Sequence, residues 1–256
     1  MMITPQGDQA TTSPLFRGAD ADVVMLSSDC VQFHLHKKYL EFASGGFPSA
    51  NTPTNGEIVD LAESSETLEI LFQFIYPRQH PTLERMDFES VLKVAEAAEK
   101  YEVYAAQSVC QLKLRSDFVK SHPQEVLRFA ADHRIATLFE HLAPIILDTP
   151  LSVMAKTLAS CPSFFIKWCI WRQCFIDIIG EAAKQVPAHK CSIHPTLALE
   201  MIGIWIQFPS ALATNERAFQ RKIMDSSIDI QQCCRISLVD WADGVAERRV
   251  MFRSSR

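Results

Sequence analysis

The side chains best suited to chemistry in the front of the chain lie in "VQFHLHKKYL", Val31 to Leu40, where His34 and His36 stand two apart ahead of Lys37 and Lys38. Such a cluster has three readings: metal ligation by the imidazoles, a general base with cationic helpers, or a strand running into a helix. A structural zinc site takes four ligands, and the surrounding stretch adds only Asp29 and Cys30. Cys30, four residues before His34, is a weak thiol–imidazole signal. The sequence has no G-x-S-x-G elbow and no glycine-rich phosphate loop, and its scattered carboxylates select no catalytic pair. The residues therefore favour a structural role for the histidines and a protein that is not an enzyme.

A second constellation lies far downstream. "HKCSIH" offers His189, Cys191 and His194, and "QQCCR" offers Cys233 and Cys234. Thiolates and imidazoles from two segments suit tetrahedral zinc, which would staple two helices and make the helical half a ligand- or metal-binding part. The spacing matches no common finger, and buried thiols beside surface histidines weigh more heavily. Cys161, Cys169 and Cys174 lie along a hydrophobic helix and read as packing. The tail "ERRVMFRSSR" places Arg248, Arg249, Arg253 and Arg256 together, which would suit a DNA-binding regulator. The formal charge of −5 disfavours nucleic acid as a partner.

These residues need a scaffold, and the composition supplies one. With 48% hydrophobic and 21% charged residues the chain can bury a large core, and 13 prolines against 8 glycines suggest helices separated by proline-marked breaks. The opening residues lack the basic start and apolar run of a secretory signal, so the expected compartment is cytoplasm or nucleus, with reduced cysteines. The longest apolar stretch, "FFIKWCIWRQCFIDIIG", is broken by Lys167, Arg172 and Asp177, so no membrane span is expected.

Residues 1–16 read as a disordered polar arm. Two strands follow, Val23–Leu26 and Val31–His36, joined by Ser27-Ser28-Asp29. Period-two alternation puts Val31, Phe33 and Leu35 on one face, with Gln32, His34 and His36 on the other. "KKYLEFAS" reads as a short helix stopping at Gly45-Gly46, and "EIVDL" as a third strand. "SSETLEILFQFIYP" opens on a serine cap, and "DFESVLKVAEAAEKYEV" opens at Asp87 and carries a Glu96/Lys100 pair. The order is strand, strand, helix, strand, then helices: a small sheet capped by helices, α+β in class. From about residue 117 to 246 the chain reads as an all-helical domain, and 247–256 as a basic tail. In the longest helix Phe164, Trp168, Trp171, Phe175, Ile178 and Ala182 form an apolar seam opposite Gln173, Asp177, Glu181 and Lys184.

The order and spacing of "ADVVML", "VQFHLHKKYLEFASGGF", "EIVDL", "TLEILFQFIYP" and "VLKVAEAAEKYEV" resemble the BTB/POZ domain. The matching points include Asp22, His36, Lys37, Leu40, Ser44, Phe47, Tyr76, Lys100 and Tyr101, and the resemblance covers residues 17–116. The longer chain looks like BTB proteins of the kind abundant in mushroom-forming fungi, with a helical C-terminal half. It departs from the pattern at the Pro- and Asn-rich stretch after Gly46 and at Pro77-Arg78-Gln79.

The resemblance implies a structural pair in which the His36 ring meets Asp22. It implies protein partners: homodimers, transcriptional partners, or a cullin scaffold for which the chain would be a ubiquitination adaptor. A cullin contact would fall on Pro77 to Phe88 and the flank of the helices that follow, with Leu83, Met86 and Phe88 as apolar anchors; the competing reading turns Leu83 and Phe88 inward as core.

Overall fold

The computed structural model of the protein describes residues 11–54, 56–188, 193–213 and 236–245. Two compact units divide between Val119 and Lys120. The first is built on the expected hairpin: β2 (Val23–Leu26) and β3 (Val31–Leu35) run antiparallel with Val23 opposite Leu35 and Leu26 opposite Gln32. Ser27 closes the turn, its Oγ accepting from the Val31 amide at 2.9 Å, and Cys30 takes a φ of 61°. β4 (Ile58–Asp60) adds to β2 in parallel, within the "EIVDL" stretch that reads as a strand.

The fourth strand corrects the reading of residues 1–16 as an arm. β1 (Thr11–Arg17) pairs in parallel with β3, giving the order β1-β3-β2-β4. Its register shifts between Thr12 and Arg17, so the buried residues are Ser13 and Phe16, three apart instead of two or four. A bulge thus hides the period-two signal, and Pro14 is tolerated because the strand lies at the sheet's edge.

Helices cover one face of the sheet. α1 (Lys37–Ala43) leaves β3 directly. α2 (Ser65–Gln73) is capped by Ser64, whose hydroxyl accepts from the Thr67 amide, and α3 (Phe88–Lys100) by Asp87, whose carboxylate accepts from Ser90 at 2.8 Å. α4 (Tyr104–Lys113) runs on into a π-helical turn, Leu114–Phe118. Phe33 and Leu35 are buried with Leu68, Leu71 and Phe72 of α2 and Val91, Ala95 and Ala98 of α3, each 0–1% exposed, and the Phe33 and Phe72 rings meet at 5.2 Å. Burying such a leucine or phenylalanine contributes roughly 1.5–3 kcal/mol.

Two long-range polar contacts tie the helices down. Asp29, in the β2–β3 turn, accepts from the Ser65 amide at 2.7 Å and from its hydroxyl at 2.6 Å, so a turn caps α2 from outside. Lys100 pairs with Glu63 at 2.7 Å, a partner from outside its own helix. The same carboxylate accepts from Tyr101 Oη at 2.6 Å, and the Tyr101 ring stacks on Phe47 at 4.9 Å. Gly46 is required where the chain passes: a Cβ there would lie 2.7 Å from Tyr101 backbone atoms.

The second unit is helical: α5 (Pro123–Asp132), α6 (Ala136–Leu142), α7 (Leu151–Thr157), α8 (Pro162–Lys184), α9 (Ile193–Gln207), α10 (Pro209–Ala213) and a helical segment over 236–245. The α8 seam is buried at Phe164, Trp168, Phe175, Ile178 and Ala182, with Trp171 packed against the same core. Met201, Ile202 and Trp205 of α9 complete that core with Leu238 and Val245. Among the described residues no helix is long and apolar enough to cross a membrane.

Candidate interaction surfaces

The corner between β3 and α1 decides what His36 does. Its ring is mostly buried, with Nδ1 3.0 Å from Tyr76 Oη and Nε2 3.2 Å from an Asp20 carboxylate oxygen. The His36 backbone amide donates to the same Tyr76 oxygen at 3.1 Å. Burial pushes the Tyr76 phenol above its ordinary range, against a smaller pull from the His36 amide, so its O–H remains available to donate. A ring carrying its proton on Nε2 then accepts from Tyr76 and donates to Asp20, and every polar group at the corner is satisfied. The hydrogen bond with His36 holds the Asp20 carboxyl below its usual value.

The expected Asp22–His36 pair is therefore corrected. Asp22 lies exposed, and its Oδ1 accepts from the Lys37 amide at 2.7 Å, capping the otherwise uncapped start of α1. Asp20 and Asp22 stand two apart, so sequence alone could not choose between them, and Tyr76 lies 40 residues from His36. Arg78, in the stretch that departs from the family pattern, lies over the Phe16 ring at 4.8 Å and the Tyr76 ring at 5.2 Å. It closes β1 over the core as a flat lid of guanidinium on aromatic faces.

His34, half-buried, points to the sheet's other face, and Cys30 is exposed in the turn. No hydrogen bond joins them among the described residues, where no group of three His, Cys, Asp or Glu residues could hold a metal either. His189, Cys191, Cys233 and Cys234 lie outside the described residues, as does the side chain of His194. The zinc reading and the basic tail fall there too.

The segment from Pro77 to Phe88 treats its three expected anchors differently. Leu83 is a correction: it is 4% exposed, because the chain turns there at a φ of 55° and carries the side chain into the core. Met86 and Phe88 are half-buried, and the Phe88 ring meets Phe118 at 5.3 Å. Lys113 braces the same spot, donating to the Glu84 carbonyl at 3.4 Å and pairing with Asp117.

A surface that sequence reasoning missed lies on α1. Phe42 is 87% exposed, rimmed by exposed Lys38 and Glu41. Among the described residues it is the most exposed large apolar side chain, which makes it a candidate contact residue.

Residues 14–117, which hold this sheet and the helices over it, match the family model for the BTB/POZ domain. The chain is a BTB/POZ domain-containing protein. Neither a curated protein nor a solved structure matches it. The BTB/POZ domain is a protein–protein interaction module, generally without enzymatic chemistry, which agrees with a His36 corner whose polar groups are spent on one another. In this BTB/POZ domain β1 extends the sheet ahead of the hairpin, and the candidate contact residues are Phe42, Met86 and Phe88.

Proposed function

We propose that the protein works by assembly, its BTB/POZ domain joining copies of the chain through α1 and presenting an attached helical domain. The observation that carries this reading is Phe42, 87% exposed beside Lys38 and Glu41. Such a ring serves as the central anchor of a symmetric contact, with charged residues at the rim and further surface buried around it. Sedimentation equilibrium of the full chain tests it: the expected result is a dimer that Phe42→Glu converts to a monomer with the same circular dichroism. A monomeric wild-type chain overturns the reading.

A second role is favoured by Met86 and Phe88, half-buried on a segment braced by Lys113 and Phe118. These residues suit a cullin scaffold as the docked partner, which would make the protein a substrate adaptor for ubiquitination. Binding of a purified cullin N-terminal region, weakened by Phe88→Ala, is the expected outcome.

A further inference from the structure

The outer edge of β4 has no strand beside it among the described residues. In the parallel β2–β4 pair, Val24, Met25 and Leu26 lie opposite Ile58, Val59 and Asp60, and the Leu61 amide donates to the Leu26 carbonyl at 2.8 Å. Backbone groups alternate sides along a strand, so Val59 and Leu61 face β2 while Ile58 and Asp60 turn their N–H and C=O groups outward. The side chains are just as incomplete. Ile58 is 47% and Val59 37% exposed, on opposite faces of the sheet. Ile58 stands beside half-buried Val24 on the face away from the helices. Outward backbone groups between wet apolar side chains are what an added strand completes.

Charge selects the occupant. Glu57 and Asp60 flank the apolar pair, both exposed, and neither belongs to an ion pair or side-chain hydrogen bond among the described residues. Pairing with a second copy would crowd four carboxylates into one short ladder with strands about 4.8 Å apart. That arrangement repels. A strand with lysine or arginine at the flanking positions instead places a cation beside each carboxylate.

We infer that the edge Glu57-Ile58-Val59-Asp60 takes up an extended segment of a partner protein that reads basic, apolar, apolar, basic. The pattern is the same in both directions, so it is matched whether the added strand runs parallel or antiparallel. This surface uses none of the residues proposed for the α1 or cullin contacts, and its test is independent of theirs.

The probe is a capped octapeptide with lysine-valine-valine-lysine between threonine pairs, titrated into the isotope-labelled full chain. The expected result is slowed hydrogen exchange at the Ile58 and Asp60 amides, with the Val59 amide unchanged. The peptide with glutamate for both lysines should bind at least about tenfold more weakly, because two attractive cross-strand pairs become repulsive. Asp60→Pro removes one outward N–H at an edge position that tolerates proline, and should abolish the protection. Asp60→Lys, which keeps the backbone donor, should weaken the lysine peptide while preserving the fold. An unbound lysine peptide, equal binding of both peptides, or an Asp60→Pro chain that binds like the parent overturns the inference.

Discussion

Tyr76→Phe separates the His36 corner seen in the structure from the Asp22 pairing expected from the sequence. The substitution keeps the ring, with its contacts to Tyr39 at 4.9 Å and Phe16 at 5.4 Å, and deletes only the hydroxyl. That oxygen accepts from the His36 amide at 3.1 Å and lies 3.0 Å from Nδ1. Its loss leaves a partly buried N–H and a ring nitrogen without partners, which costs about 1–3 kcal/mol. Asp22→Ala acts elsewhere: it uncaps the Lys37 amide at the start of α1, a loss of about 1 kcal/mol.

Hydrogen exchange read by mass spectrometry over the β3–α1 segment measures both effects locally, without requiring the two units to unfold as one. A double-mutant cycle then assigns the partner. His36→Leu and Tyr76→Phe should couple by on the order of 1 kcal/mol, whereas His36→Leu and Asp22→Asn should add to within about 0.5 kcal/mol. Coupling of His36 to Asp22, with none to Tyr76, would refute the account of the corner.

Asp29 predicts an acid-limb effect. Burial pushes its carboxyl up, but hydrogen bonds from Ser65 and Ser27 outweigh this and hold it at about 2, against an ordinary value of 3.8. Its folded pKa is depressed, so the stability it contributes is present above pH 3.8 and lost as pH falls toward about 2. Asp29→Asn should flatten that window in a pH series of thermal melts, and an unchanged acid limb would count against the cap. Phe16→Ala should cost about 3–5 kcal/mol in urea unfolding of the first unit, since the ring is 2% exposed between Phe33 and Phe72. A loss below ~1 kcal/mol would return residues 11–17 to the status of an arm.

The sequence by itself determined the hairpin, β4, the caps of α2 and α3, and the α8 seam. Each is a local signal: alternation for Phe33 and Leu35, a serine or aspartate ahead of a periodic run, apolar side chains stepping by three and four. The BTB/POZ order was legible for the same reason, since it is a succession of such elements. Only the tertiary structure decided which carboxylate His36 meets, because Asp20 and Asp22 have the same parity and the decisive hydroxyl comes from Tyr76 on another element. It also decided that Leu83 turns inward, through a left-handed backbone that leucine seldom adopts. β1 became a strand because a bulge lets Ser13 and Phe16 face inward together, and such an irregularity has no period to read. Local patterns fix which elements exist. Which side chains meet depends on distances closed by folding, and these no linear spacing records.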